Sequence, residues 1–264
     1  GMAQYVSWAT GDTVKDPATN KEHTWDQYID FSARFYQIEA SQKLYKKYIG
    51  TLINRTNIYT KETYKNDTAI MSWELANEPR PLKDGYSNNE ENVKYAKQAH
   101  ESEFIDYTTF HLWPKNWGWY KADKPETMES TKKHALEYIK EHIKMSKQLN
   151  KPTVLEEIGF VRDGEMFSAD SPVTARNEFY GFILDLLQKS IDEGNAMKGL
   201  NFWGWGGEGR AQQSDYMWKP GDIIYTADPY SEAQGLNSIY NTDVSTFDVI
   251  SKVAHELERL SSKP

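Results

Sequence analysis

The chain has 264 residues, of which 38% are hydrophobic and 14% aromatic, so it is long enough to bury a substantial core. Its formal net charge of −8 disfavours binding to nucleic-acid phosphates, which need a basic surplus, and suits a soluble protein with a neutral substrate. Cysteine is absent, which excludes disulfides and thiolate metal sites, and no apolar run approaches the roughly 18 residues of a membrane-spanning helix. No signal peptide is visible. We therefore expect neither nucleic acid nor a membrane as a partner.

Four short apolar segments are predicted to be buried strands of a parallel sheet. Each segment is bounded by polar residues, glycine or proline, as strands covered on both faces usually are. In chain order, these predicted strands span residues 69–76, 105–113, 152–158 and 199–205.

Helical periodicity fills the stretches between the strands. Helices are predicted over residues 41–57 and 134–149, then from Pro172, with Ser171 as the N-cap, to a stop at Gly194, and finally over about residues 246–260. Alternation of helices and strands predicts βα units, and polar and aromatic residues cluster after every strand without a glycine-rich phosphate loop. This pattern favours a (β/α)8 TIM barrel with its active site at the carboxyl ends of the strands. We predict one catalytic domain over residues 1–264. Only four of the eight barrel strands are evident, so the sequence leaves open whether the barrel is complete in this chain.

Two glutamates that follow predicted strands are candidate catalytic groups. Glu78 precedes a proline, and burial beside aromatic residues would suit it to general acid catalysis, because burial raises the pKa of a carboxyl group. Glu157 is preceded by Glu156, and adjacent strand residues point to opposite faces, so only one of the two should enter the barrel. Two carboxylates about 5–5.5 Å apart can cleave a glycosidic bond with retention of configuration.

The sequence Trp-Glu-Leu-Ala-Asn-Glu-Pro-Arg-Pro at residues 73–81 resembles the acid/base motif of glycoside hydrolase family 5, in particular that of its mannanase branch. The Asn-Glu-Pro part is shared by related hydrolases, whereas the strings Gln-Tyr-Val, His-x-Trp-Pro and Gln-Gly-x-Asn-Ser point to mannanases. The resemblance runs almost from end to end of the chain and includes Gly-Met-Ala-Gln-Tyr-Val-Ser-Trp at 1–8, Phe-His-Leu-Trp-Pro-Lys-Asn-Trp at 110–117, Leu-Glu-Glu-Ile-Gly-Phe at 155–160 and Gln-Gly-Leu-Asn-Ser-Ile-Tyr at 234–240.

The resemblance implies a role for each matching residue. Glu78 would be the acid/base and Glu157 the nucleophile. The implied substrate-binding residues are Asn77 at the C2 hydroxyl of the sugar, Arg80 on the leaving-group side, His111 in the cleavage subsite, Trp113 beside it, and Trp203 as the stacking floor beneath the sugar. Because Trp203 and Trp205 share one strand face, either could instead fill the barrel interior.

Three departures from the family pattern bear on these expectations. The family often has tyrosine, positioned to hydrogen-bond the nucleophile, where this chain has Trp113. The family barrel begins before the segment that matches Gly1, so its first strands, one of which bears a site arginine, have no counterpart here. The family also places a helix and a strand before the histidine strand, and residues 82–103 are too few for both.

The resemblance implies endo-hydrolysis of β-1,4-linked mannan, glucomannan or galactomannan, with no cofactor and no metal. Two alternatives stay open from the sequence: a β-1,4-glucanase on the same scaffold, and a non-catalytic glycan-binding remnant. A polymeric substrate implies an extracellular or periplasmic location. The oligomeric state is not determined by the sequence.

Overall fold

The computed structural model describes residues 1–17, 20–78, 96–223 and 226–261. It divides into two compact units, Gly1–Asn92 and Val93–Pro264, which are described separately below. The single domain expected over residues 1–264 therefore stays a prediction. No helix within the described ranges is both long and apolar enough to cross a membrane.

The first unit is helical over most of its described residues. Its helices are α1 (Met2–Thr10), α2 (Trp25–Ala33) and α3 (Glu39–Ile53). A 3-10 turn at Arg34–Tyr36 lies between α2 and α3, and another at Tyr64–Asn66 follows α3. Helix α3 confirms the helix predicted over residues 41–57, and it begins earlier and ends earlier than expected. The three helices pack around an aromatic cluster of Tyr5, Phe35 and Tyr45, whose ring centroids lie 5.3–6.3 Å apart.

Local sequence explains where two of these helices begin and end. Thr24 and Gln27 form a capping box at the start of α2: the Thr24 hydroxyl accepts from the Gln27 amide, and the Gln27 side chain accepts from the Thr24 amide. Helix α1 ends at Gly11, whose φ of 82° is in the left-handed region that glycine adopts without steric cost.

The strand predicted over residues 69–76 is not formed. This segment has an irregular backbone, and Met71, Trp73 and Leu75 are exposed. The Leu75 carbonyl accepts a hydrogen bond from the Tyr45 hydroxyl, so the segment is held by a side chain and not by a β-ladder. An apolar run becomes a strand only when a neighbouring strand satisfies its backbone groups, and among the described residues no strand pairs with this segment.

The second unit contains the sheet. After a helical stretch at residues 96–100, alternating strands and helices follow in the order β1 (Thr108–Leu112), α4 (Met128–Gln148), β2 (Thr153–Ile158), α5 (Thr174–Asp192), β3 (Met197–Phe202), β4 (Trp205–Gly207), β5 (Ile239–Tyr240) and α6 (Val244–Ser261). Two 3-10 turns lie at Pro125–Thr127 and Asp163–Glu165.

Strands β1, β2 and β3 form a parallel sheet in that order, and β4 and β5 form a second parallel pair. The strands predicted over residues 105–113 and 152–158 are confirmed as β1 and β2. The predicted strand over residues 199–205 is divided between β3 and β4. Within the described part of this unit the strands form two separate sheets and not a closed barrel, so the observed architecture is the βαβαβ part of the predicted fold.

Apolar side chains of the central strands and of α5 make the core. Leu112, Leu155 and Ile158 are almost fully buried, and Phe179 and Ile183 of α5 are fully buried beside them. The buried residues of β1 alternate, at Thr108, Phe110 and Leu112, so one face of this strand is the more deeply buried one.

The predicted start of α5, with Ser171 as the N-cap and Pro172 as the first helical residue, is two residues too early. The helix begins at Thr174, where the two Asp163 carboxylate oxygens accept hydrogen bonds from the amides of Thr174 and Ala175. A carboxylate from a neighbouring turn therefore caps this helix, and sequence position does not reveal such a cap. The predicted stop is confirmed, because Gly194 follows the helix with a φ of 65°.

A buried ionic cluster ties the end of the chain to the segment that follows β2. Arg162 and Arg176 are fully buried and will be called the arginine pair. Both donate to the same oxygen of Asp243, at 2.6 and 3.4 Å, and that oxygen also accepts from the Tyr240 amide at 2.8 Å. Arg176 Nε donates to the Phe160 carbonyl at 2.8 Å. The cluster fixes the backbone just beyond the carboxyl end of β2.

Candidate active site

A bulge shapes the carboxyl ends of β1 and β2. Phe110 lies opposite Leu155, whereas the next residue of β1, His111, lies opposite Glu157. Glu156 is therefore the extra residue on β2. A bulge rotates side chains out of strict alternation, and here it brings two consecutive carboxylates to the same histidine.

His111 lies between those two carboxylates. Its Nδ1 is 3.1 Å from Glu157 Oε2, and its Nε2 is 3.8 Å from Glu156 Oε2. The three side chains are largely but not fully buried, with 13% of His111, 16% of Glu157 and 23% of Glu156 exposed. The expectation that only one glutamate would approach the site is thus wrong for these contacts, because the bulge interrupts the alternation on which it depended.

Two tryptophans adjoin this histidine–glutamate group. Trp113 follows the end of β1 and makes an edge contact with Trp203, with ring centroids 6.1 Å apart. Its indole lies directly over Gly159, where a Cβ would be only 2.1 Å from Trp113 Cζ3. Glycine at this position is therefore required by the indole that covers it and not by its backbone angles.

Trp203 and Trp205 differ in their surroundings. Trp203 is half-buried, and its backbone amide donates to the Ile158 carbonyl at 2.8 Å. Its indole Nε1 is buried without a hydrogen-bond partner among the described residues. Trp205 is 61% exposed and contacts Phe247. The geometry brings Trp203, and not Trp205, to Trp113.

Glu78 and Asn77 belong to the first unit and are exposed there. The expectation that aromatic neighbours bury Glu78 is therefore wrong, since the strand on which that burial depended is not formed. Glu78 has a φ of 44°, in the left-handed region that costs a non-glycine residue about 1 kcal/mol or more. Such backbone strain is concentrated at functional sites. Arg80, the remaining predicted site residue, lies outside the described residues.

The Gln-Gly-Leu-Asn-Ser string has a structural role that the sequence did not reveal. Asp228, which is 1% exposed, accepts hydrogen bonds from the amides of Gly235 and Asn237 at 2.7 Å each and from the Ser238 hydroxyl at 2.5 Å. One buried carboxylate thus organises most of the string. Aspartate ten residues before a motif serine carries no recognisable sequence signal, so Asp228 was missed.

A second carboxylate links this string to the loop after β1. Glu232 accepts a hydrogen bond from Asn116 Nδ2 at 3.2 Å, and burial raises the pKa of Glu232. Lys115 of the same loop forms an ion pair at 2.7 Å with Glu165, which lies in the 3-10 turn after β2. The string at 110–117 is therefore joined in space to the segment directly before the string at 234–240. Within either unit taken by itself, no three described His, Asp or Glu side chains bring ligand atoms together for a metal.

The chain matches the family model described as GH family 5 beta-mannosidase-like over residues 1–89 and 82–262. Among curated relatives, mannan endo-1,4-beta-mannosidase 5 of Arabidopsis thaliana is 24% identical over 249 residues, covering 77% of this chain and 53% of the relative. Mannan endo-1,4-beta-mannosidase 4 of Solanum lycopersicum is 24% identical over 256 residues, covering 81% and 58%. The chain spans about half of the length of these relatives.

Solved structures give the same assignment. The family 5 mannosidase of Rhizomucor miehei superposes with a TM-score of 0.82 at 28% identity, over 98% of this chain and 70% of that one. A variant of that enzyme, with alanine in place of a glutamate and in complex with mannosyl-fructose, gives a TM-score of 0.85 at 27% identity. This match covers 100% of this chain and 70% of the variant's chain. The endo-beta-1,4-mannanase of Thermotoga petrophila gives a TM-score of 0.59 at 24% identity, over 97% of this chain and 55% of that one. At this identity the match supports the fold alone. These neighbours are (β/α)8 barrels. The family model matches nearly the whole length of this chain, so the chain belongs to the beta-mannosidase-like group of glycoside hydrolase family 5.

Proposed function

We propose that this chain is the catalytic part of a glycoside hydrolase that cleaves internal β-1,4-mannosidic bonds in mannan, glucomannan or galactomannan with retention. The names of its relatives and the mannosyl-fructose complex of a structural neighbour support a mannose-containing substrate. The observation that carries the proposal is the position of Glu157, at the carboxyl end of a parallel strand and 3.1 Å from His111. Barrel enzymes place their catalytic groups at such strand ends.

The proposed reaction is a double displacement. Glu157 attacks the anomeric carbon while Glu78 protonates the departing oxygen, which gives a glycosyl-enzyme; Glu78 then deprotonates the water that releases the sugar. Both steps invert the anomeric carbon, so the configuration is retained overall.

The other proposed residues bind the sugar. Asn77 and His111 would contact the mannosyl ring in the cleavage subsite, Arg80 would contact the leaving-group side, and Trp203 and Trp113 would offer aromatic faces to the apolar C–H surface of the ring. No cofactor takes part in this scheme, because protonation and covalent catalysis by two carboxylates are sufficient for it. A polymeric substrate supports the further proposal that the enzyme acts outside the cell or in a periplasm.

The connection between the two proposed catalytic glutamates is short. In two variants of the Rhizomucor miehei mannosidase, alanine replaces one glutamate or another. The distance along the chain between those two glutamates is about 20 residues longer than the distance between Glu78 and Glu157 here. The match to the family model also divides at residues 82–89. Both observations support the predicted loss of a helix and a strand before the histidine strand, a stretch that lies largely outside the described residues.

A second candidate activity is exo-cleavage of single mannose units. The family model is described as beta-mannosidase-like, and the structures with the higher TM-scores are from an enzyme named mannosidase. Digestion of mannohexaose separates the two activities. Endo-hydrolysis releases mannobiose and mannotriose early, whereas exo-cleavage releases mannose together with mannopentaose.

Azide rescue of alanine variants tests the two catalytic roles. With an activated aryl β-mannoside, Glu157→Ala should lose at least about 1,000-fold in rate, because the covalent route is removed. Azide should restore turnover and yield the α-mannosyl azide, whereas Glu78→Ala should yield the β-mannosyl azide, since azide there attacks the glycosyl-enzyme. Glu137→Ala, at an exposed position of α4, is the matched control. Full activity of Glu157→Ala would contradict the proposal.

Two further assays address the alternatives that the sequence left open. Release of reducing ends from carboxymethyl cellulose, in preference to mannan, would indicate a β-1,4-glucanase. Binding of mannan without any cleavage would indicate a glycan-binding protein and would exclude the proposed enzyme.

A further inference from the structure

We infer that Glu156 is a positioning residue that keeps both nitrogens of His111 protonated, so that Nδ1–H donates to the proposed nucleophile Glu157. The effect on catalysis rests on the proposed function, whereas the state of the His111 ring does not. Neither the comparisons nor the family resemblance gives Glu156 a role.

The first support is the backbone. The bulge on β2 makes Glu156 the extra residue between two paired positions, and it lies beside His111 together with Glu157. The imidazole therefore has one carboxylate at each nitrogen, with distances of 3.1 Å at Nδ1 and 3.8 Å at Nε2. The shorter distance is that of a hydrogen bond, and the longer one is that of an electrostatic contact.

The second support is the proton count of imidazole. A neutral ring has only one N–H, so a ring that donates from Nδ1 would direct the Nε2 lone pair toward the negative Glu156 carboxylate. A second proton on Nε2 replaces this repulsion with attraction. With 13% of His111 and 23% of Glu156 exposed, solvent screens the attraction only in part.

The expected consequence is control over the orientation of Glu157. A ring held with both protons can donate to Glu157 only from Nδ1 and cannot change tautomer. Replacing Glu156 with neutral glutamine removes the charge that stabilises the second proton. His111 then becomes neutral and keeps its one proton on Nδ1, which faces the Glu157 carboxylate. Glu157 therefore retains only a neutral donor, and a neutral donor forms a weaker hydrogen bond than an imidazolium does.

Nuclear magnetic resonance of the full chain with 15N-labelled histidine rings tests the inference directly. At pH 7 the His111 ring of the wild type should show two protonated nitrogens, with the signal assigned by its loss in His111→Asn. Glu156→Gln should show a neutral ring, and Glu156→Asp should keep the doubly protonated one. Glu137→Gln should leave the His111 signal unchanged. A neutral His111 in the wild type, or a doubly protonated one in Glu156→Gln, would overturn the inference.

Kinetics on an aryl β-mannoside supply the second measurement. Glu156→Gln should lower kcat about 10- to 100-fold with little change in KM, because a weaker hydrogen bond then orients Glu157 and misplacement of a reacting group affects the chemical step. Glu156→Asp should recover most of that loss. An unchanged kcat in Glu156→Gln beside the expected ring signals would refute the catalytic consequence. A wild type without activity, but with the expected signals, would contradict the proposed function and leave the positioning role of Glu156 standing.

Discussion

His142 offers a sharp test of how the core of the second unit depends on pH. This histidine of α4 is only 5% exposed, stacks on Phe110 with ring centroids 4.5 Å apart, and lies edge-on to Tyr138. Burial, with a smaller contribution from His100, lowers the pKa of His142 from 6.5 to about 3. The folded protein therefore keeps this ring neutral under conditions in which the unfolded chain protonates it.

The sign and size of the effect follow from proton linkage. Between pH 6.5 and pH 3 the unfolded state binds the additional proton, so the free energy of unfolding falls as the pH falls. At about 1.4 kcal/mol for each pH unit below 6.5, the loss is about 2.7 kcal/mol at pH 4.5 and only a few tenths at pH 7. Replacement of His142 by leucine, which is similar in volume and cannot titrate, should remove this component.

Urea denaturation at pH 7.0 and pH 4.5 measures the difference. The wild type should lose about 2.5 kcal/mol more than His142→Leu between the two pH values, whatever offset the substitution causes at pH 7.0. His255→Gln, which changes an exposed histidine of α6, should lose as much as the wild type. Equal losses in wild type and His142→Leu would refute the argument that burial keeps the ring neutral.

Two further substitutions test the packing and the charges around the site. Gly159→Ala places a Cβ 2.1 Å from the Trp113 indole, so it should lower the free energy of unfolding by about 1–3 kcal/mol and should also reduce activity. Thermal unfolding should show a smaller loss of stability when the same substitution is made in a Trp113→Leu background. An equal loss in both backgrounds would exclude the clash. Asp243→Asn removes the charge shared by the arginine pair and should cost about 3–5 kcal/mol in urea denaturation. The exposed ion-pair variant Asp215→Asn should cost much less than Asp243→Asn, and equal costs would show that burial of the arginine pair does not matter.

The sequence by itself determined those features that depend on local periodicity and composition. The buried strands β1 and β2, the helices between and after them, and the stop at Gly194 are all predicted by apolar spacing and by glycine. The family resemblance likewise followed from short strings, and the match to the family model confirms it. The strand pair β4–β5 was only partly predicted, because the two residues of β5 are too few to show any periodicity.

The tertiary structure alone decided which partners these elements meet. Residues 69–76 have the composition of a strand, yet no described strand pairs with them, so their backbone remains irregular and Glu78 is exposed. The approach of both Glu156 and Glu157 to His111 depends on a bulge, which is a register difference between two strands about 45 residues apart in the chain. Strand pairing, register and burial are long-range properties, and the pattern along one segment does not contain the segment against which it will pack.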